Sequence, residues 1–456
     1  MKKVFALVLS LVMALSLVAC GGGGGGSDTP AGEKTPTAEE TADKLVIWTN
    51  LTAESQTKVL QEQFSEVAKE MGVEVEMVTV AFGDMYTKLA AAMESGDTPD
   101  IMHTTEGGSA YLYAQDLLAE MDDVIDAIGR DDFVESYLRS ITDDGVAWGV
   151  PDWALHTSVW YRKDLFAEKG IKVPTNWDEL MAAAEKLNID TNKDGNTDIY
   201  GFAVPMAAVQ LAAQSYYEFL FTDGVYTFDP ATGAYNFGND KAHATEVLDY
   251  MIELYKKASP PSSTEWSWSE NRTALVEGSV AMCLDMGAVI GMAQSNNPEM
   301  VENLGCFDLP GKNGDKQASF GGGYYFVASN QGSDAKIALA KEFITKLYTP
   351  QRAADRALSR PMFAYPSVYS AFDLYKASPS VAQFQDEIDN IFDAFENNTW
   401  YRYGMEAGLS QMASQIEATT FFGEAIQAVA LDMQTSAQAV DYIDAQLQEQ
   451  LAVIGE

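Results

Sequence analysis

The sequence predicts an α/β protein of two domains, each a mainly parallel sheet flanked by helices. Three observations lead there. From Lys44 to Met102, strand-type runs alternate with helical stretches in the order strand, helix, strand, helix, strand, the pattern of an α/β layer. A second series of the same kind starts near Ser158. Beyond the N-terminal leader and a low-complexity stretch, about 410 residues remain, too many for one simple core and suited to two domains of about 200.

Composition narrows the function. An apolar fraction of 47% with 11% aromatics belongs to a packed globular chain rather than a disordered one. Asp and Glu number 67 against 29 Lys and Arg, for a net charge of −38. Such a surface repels nucleic-acid phosphates and anionic headgroups, and disfavours a highly anionic ligand. With only His103, His156 and His243, a histidine metal site or nucleophilic triad has little material. Cys283 and Cys306 could pair outside the cytoplasm or remain two buried thiols, and spacing does not choose between them.

The chain opens with Lys2 and Lys3 and an apolar run, Val4 to Ala19, the layout of a signal peptide over residues 1–19. The run is short for a bilayer span. Its end, Leu17-Val18-Ala19-Cys20, resembles a bacterial lipobox, whose cysteine is lipidated and becomes the new N-terminus. That implies a body held by lipid at the outer face of the cytoplasmic membrane. Residues 20–43, in which six glycines follow Cys20, read as the lipidated cysteine and a flexible tether of the kind found in Gram-positive lipoproteins.

The body begins with a strand at Lys44–Trp48, and Thr49, Asn50 and Thr52 offer caps for a helix from about Ala53 to Met71. Val73–Val80 alternates as a second strand, Met85–Glu94 is a helix, and Asp97-Thr98-Pro99-Asp100 turns into a third strand at Ile101. Ligands of such sheets sit at the carboxyl ends of the strands, here Trp48 to Asn50 and His103 to Gly108. In the second series, strands are expected at Ser158–Tyr161, Tyr200–Val204 and Val280–Leu284. Helices are expected at Trp177–Leu187, Gln210–Leu220, Lys241–Ala258, Arg272–Glu277 and Ala335–Leu347, with a helical C-terminal stretch from Ala382.

Gly145-Val146-Ala147-Trp148-Gly149-Val150-Pro151 runs on into Val159-Trp160-Tyr161-Arg162-Lys163-Asp164-Leu165-Phe166 and then Pro174-Thr175-Asn176-Trp177-Asp178-Glu179-Leu180. This block resembles that of the extracellular solute-binding proteins of family 1, the maltose-binding-protein-like receptors of ABC importers. Trp148 stands for the family's common tyrosine and Arg162 for its asparagine. Thr98-Pro99-Asp100-Ile101, Ala274 to Met282, Leu309-Pro310-Gly311, Gly321-Gly322-Gly323 and Ala340 to Ile344 follow in family order. The resemblance implies a two-lobed, type II periplasmic-binding-protein-like fold that closes on ligand by a hinge. By analogy, residues 44–152 with 324–360 form the N-terminal lobe and 153–323 with 361–456 the C-terminal lobe. Crossings fall near Val150–His156, Gly321–Tyr325 and Pro361–Tyr365.

The implied function is delivery of a carbohydrate, in the first instance an oligosaccharide, to the transmembrane subunits of an ABC permease. The implied receptor is a non-enzymatic monomer. Sugars offer apolar faces to aromatic rings and hydroxyls to Asp, Glu, Asn and Arg. On that basis the expected ligand residues are Asn50, Glu106, Asp152, Trp153, Tyr217, Glu218, Trp266, Trp268, Asp285, Tyr324 and Arg360. Tyr401, Arg402 and Tyr403 are further candidates, whereas Trp177 reads as core. No catalytic residue is expected. Asp190, Asn192, Asp194 and Asp198 are spaced like an EF-hand loop, but Gly201 stands where the bidentate Glu belongs, so a structural Ca²⁺ competes with a plain polar turn. No other cofactor is expected. The alternatives are a receptor for a polyamine, peptide or sugar phosphate, and a lipid-anchored glycoside hydrolase.

Overall fold

A computed structural model describes residues 44–81, 84–397 and 399–455. The expected signal peptide, Cys20 and the tether lie outside these residues. The two main sheets use strands β1 (Lys44–Thr49), β2 (Glu74–Thr79), β3 (Ile101–Thr105), β4 (Val150–His156), β5 (Ser158–Arg162), β6 (Met282–Asp285), β7 (Leu304–Phe307), β8 (Ser319–Ala328), β9 (Tyr365–Pro366) and β10 (Trp400–Tyr401).

The first sheet has the order β9-β4-β8-β3-β1-β2, with β10 alongside the start of β8. β2 and β3 run parallel to β1, as their crossover helices require. β8 runs antiparallel to both β3 and β4. It enters from the second lobe rather than through a crossover helix of the first, which frees it to run against its neighbours.

The second sheet, β6-β5-β7, is paired antiparallel throughout. Parallel pairing survives as single bridges, Tyr200 to Val280 and Ala203 to Cys283, where the sequence predicts a continuous strand. The segment is pressed onto helix Trp177–Lys186, so closely that a Cβ on Gly201 would lie 1.8 Å from the Ala184 carbonyl oxygen.

Trp160 of β5 pairs with Cys283 on one side and Cys306 on the other. The two thiols are therefore two strand spacings apart, about 9–10 Å, beyond the reach of a disulfide. Both are free and buried, and burial pushes both thiols up.

The helices that bear on the site are α1 (Glu54–Met71), α2 (Met85–Ser95), α3 (Glu106–Ala114), α4 (Gln210–Thr222), α5 (Trp268–Glu277), α6 (Ala288–Asn296), α7 (Pro350–Leu358) and α8 (Met412–Ala418). α1 starts at Ala53 with no side-chain cap. The expected cap Thr49 instead accepts from the Leu51 N–H at 3.2 Å and faces His103 Nδ1 at 3.2 Å. α1 buries Leu60, Phe64 and Val67, and Phe64 meets the β8 residue Phe326 edge-on at 6.2 Å.

The chain passes between the sheets at Thr157, at the start of β8 and before β9. β4 stays in the first sheet through His156 and β9 joins it, so the first sheet reaches past the expected limits at Asp152 and Arg360. Met362, at the third crossing, is held at φ 62°. Gly287 abuts it: a Cβ there would lie 1.7 Å from the Met362 carbonyl oxygen. Among the described residues no helix is long and apolar enough to cross a membrane.

Candidate functional site

The site is built around β8. Its run Gly321-Gly322-Gly323 lets other groups approach the strand closely. A Cβ on Gly322 would lie 3.1 Å from Glu106 Oε1 and 3.2 Å from an Arg402 amino nitrogen, and one on Gly323 would lie 2.8 Å from the Trp153 carbonyl. Tyr324 follows and stacks on Trp153, with ring centroids 4.2 Å apart and planes 16° from parallel. Trp153 is only 2% exposed, so Tyr324 presents its ring to the cleft and Trp153 backs it. Phe363 flanks Trp153 at 6.0 Å and carries the Arg360 guanidinium 3.5 Å above its ring.

Beside Tyr324 opens a cleft of about 720 Å³. Asn50, Thr52, Gln56 and Arg360 line it from the first lobe, and Arg272 with α6 from the second. Ser267 and Glu270 form a capping box that fixes the start of α5, placing Trp268 at its first position. Trp268 then covers the Arg272 guanidinium at 5.1 Å, and Arg272 Nε donates to Asp285 Oδ2 at 2.5 Å. The other Asp285 oxygen accepts from the Val289 N–H at 3.1 Å.

Behind Gly322 lies a buried polar cluster. Arg402 donates to Glu417 Oε1 at 2.6 Å and to the Tyr403 hydroxyl at 2.7 Å, which also receives Gln210 Nε2 at 2.7 Å. Gln210 and Gln214 share one face of α4. Burial pushes Glu106 up to about 7, against the pull of Arg402 and the Gly323 N–H. Burial opposes charge on Arg402, yet Tyr403, Glu417 and Glu106 raise its pKa above the ordinary value. The buried side-chain atoms without a hydrogen-bond partner among the described residues include Glu106 Oε1, Glu417 Oε2, Arg402 Nε, Gln214 Oε1, Asn50 Oδ1 and Thr157 Oγ1, with others such as Trp148 Nε1 and Glu406 Oε2 elsewhere. Orphans of this kind cost about 1–3 kcal/mol each and are rare in folded chains. Here they come from both lobes.

Of the residues expected to meet ligand, Asn50, Trp153, Trp268, Asp285, Tyr324 and Arg360 are thus brought together around the cleft, with Glu106 just behind it. Others are placed elsewhere. Asp152 is fully buried and locked between His103 Nε2 at 2.8 Å and Arg356 Nε at 2.5 Å. Burial alone would raise its pKa; Arg356 and His103 outweigh that and hold it below the ordinary value. It anchors β4 to α7. Tyr217 lies one turn beyond Gln214, beneath the Tyr403 ring at 5.4 Å, with its hydroxyl 2.9 Å from Thr227 Oγ1. Glu218 accepts from the Phe320 N–H at 2.7 Å at the root of β8, and burial pushes it up to about 8. Trp266 packs half-buried against the core of the second lobe.

In the loop 190–198, Asp190 accepts from the N–H groups of Lys193, Asp194 and Gly195, and Asp198 from Thr191 and Asn192. Its carboxylates are turned onto its own backbone. Among the described residues no group of three or more His, Cys, Asp or Glu is disposed to hold a metal ion.

Sequence reasoning did not single out Gln210, Gln214, Arg272 or Glu417 for the site. The i, i+4 spacing of Gln210 and Gln214 on a largely buried helix was the one usable signal. Glu417, on a short polar helix near the C-terminus, carried none.

Two lobes on discontinuous sheets, with a polar and aromatic cleft between them, define a solute-binding receptor. The family model of the bacterial extracellular solute-binding proteins matches residues 48–354, and the chain belongs to that family. It is 26% identical over 365 residues to the putative ABC transporter periplasmic-binding protein YcjN of Escherichia coli (strain K12), covering 76% of this chain and 81% of that one. It is 23% identical over 353 residues to the diacetylchitobiose binding protein DasA of Streptomyces coelicolor, covering 75% and 77%. Among solved structures, maltose-bound MalE3 of T. maritima superposes with a TM-score of 0.71 at 20% identity, over 90% of this chain and 100% of that one.

Proposed function

We propose that the chain captures a carbohydrate between its lobes and hands it, chemically unaltered, to the membrane subunits of an ABC importer. The observation that carries this reading is the convergence of orphaned buried polar atoms from both lobes beside the Tyr324–Trp153 stack. A sugar supplies what that arrangement lacks: hydroxyls for Glu106, Glu417, Gln214 and Asn50, and an apolar face for Tyr324. Closing on such a ligand satisfies groups of both lobes at once, so binding favours the closed arrangement. DasA, a relative over most of the chain, is named for a chito-disaccharide, which fits the same chemistry. On this reading the protein is monomeric, tethered through lipid at Cys20 to the outer face of a Gram-positive membrane, and needs no metal. A thermal-shift screen of mono- and oligosaccharides against amino acids and polyamines tests it, because a ligand that binds only the folded state raises its melting temperature. A saccharide recovered intact after incubation supports the receptor. Cleavage of that saccharide, or a response confined to amino acids or polyamines, refutes it.

A further inference from the structure

We infer that the solute is an acidic saccharide, whose anionic group is read by Arg360 at the Arg272 end of the cleft; this rests on the carbohydrate reading above. The charged side chains along the described lining of the cleft are Arg272 and Arg360. That runs against the composition of a chain with 67 acidic and 29 basic residues. Arg272 is answered by Asp285 at 2.5 Å. Both oxygens of Asp285 are already engaged, one by Arg272 and the other by the Val289 N–H. The Arg360 guanidinium has no hydrogen bond or ion pair among the described residues; it is held flat by Phe363 instead. Asp285 acts on Arg360 through its charge but is bonded to Arg272 alone, leaving one positive charge without a contact partner in a half-buried position.

Physical cost decides what belongs there. Burial and the neighbouring Arg272 disfavour the charged form of Arg360 and outweigh the pull of Asp285 and Tyr324, so its pKa is lowered. Closing the lobes over a neutral sugar would desolvate this cation without compensation. A carboxylate presented edge-on suits the planar fork of an arginine, and a sulfate or phosphate ester suits it almost as well. The rest of the lining is made for a sugar: Asn50, Gln56 and Gln294 for hydroxyls, Tyr324 for a ring face. The opposite, inner end of the site carries Glu106 and Glu417 against one arginine, so an anionic group is steered to the Arg360 end and hydroxyls to the other. The net charge of −38 does not forbid this. Surface charges are screened over about 8–10 Å of salt solution, whereas the cleft groups act at contact.

The test uses matched probes with the purified protein in calorimetry and thermal shift: digalacturonate against galactobiose, glucuronosyl-xylobiose against xylotriose, and a sulfated galactobiose. The expected result is that one acidic probe binds at least tenfold more tightly than its neutral counterpart, with affinity falling as NaCl rises. Arg360→Gln abolishes that preference, and Arg360→Lys, which keeps the charge without the fork, retains part of it for the sulfate and loses most of it for the uronate. If a neutral probe binds as tightly as its acidic partner and Arg360→Gln changes nothing, the acidic-ligand inference falls while the carbohydrate receptor stands. If no probe binds and only non-saccharide solutes do, both fall. The unliganded melting temperature of each variant separates loss of binding from loss of folding.

Discussion

Replacing Glu106 by Gln is expected to make the protein more stable and a worse receptor at the same time. Glu106 is 1% exposed, and burial pushes its carboxyl up to about 7 from an ordinary value of 4.5. The folded chain therefore holds this proton more tightly than the unfolded chain does. Stability then falls as pH rises from the ordinary carboxylate range through about 7. A difference of about 2.5 pH units at 1.36 kcal/mol each makes the penalty roughly 3 kcal/mol once the group is ionised in both states. Glu106→Gln has no proton to lose. It is predicted to be more stable than the parent by about 3 kcal/mol at pH 8 and by less than about 1 kcal/mol at pH 5. Glu218 and Glu406, which burial raises to about 8 and about 7, titrate in both proteins and cancel in the comparison. A sugar hydroxyl loses a charged acceptor, worth about 1.5–3 kcal/mol, so affinity at pH 8 drops at least tenfold. Urea unfolding at the two pH values, followed by tryptophan fluorescence, gives the stability difference, and titration calorimetry with a saccharide identified in the screen gives the affinity. A stability difference that is the same at pH 5 and pH 8 would refute the burial argument, and an unchanged affinity would remove Glu106 from the site.

Three further outcomes follow from the same geometry. Asp152→Ala leaves Arg356 and His103 without their shared carboxylate and should cost about 3–5 kcal/mol in urea unfolding; a loss below about 1 kcal/mol would show that this buried pair does not anchor β4. Tyr324→Ala is expected to weaken saccharide binding tenfold or more in calorimetry, whereas Trp266→Ala stays within about twofold, and the reverse ranking would move the site to the Trp266 loop. Calcium or a chelator should leave the melting temperature unchanged, because the carboxylates of the loop 190–198 are spent on backbone N–H groups; a rise of several degrees with calcium would overturn this.

What was legible in the sequence divides along a physical line. Periodicity reports which face of an element is buried, so the βαβ order of the first lobe and the helices at Trp177, Gln210 and Lys241 could be read directly. Periodicity does not report what a buried polar group faces. Asp152 and Asp285 look alike in sequence, each an acid in or at the end of an apolar strand, yet one is clamped by His103 and Arg356 inside the first lobe and the other turns to the cleft through Arg272. The partners that decide between these fates lie 49 and 204 residues from Asp152 but 13 from Asp285. The same limit explains the aromatics. Trp266 and Trp268 share a polar stretch, but the capping box at Ser267 and Glu270 starts a helix between them, sending Trp268 over Arg272 and leaving Trp266 against the core. Arg360 shows the limit from the other side. Its sequence neighbours Ser359 and Pro361 are bland, and its lack of an anionic partner becomes visible only when the carboxylate it would share is seen already bonded to Arg272. A charge whose partner is missing is a property of three dimensions, and that is why the cleft, more than the motif block, points to the kind of solute it takes.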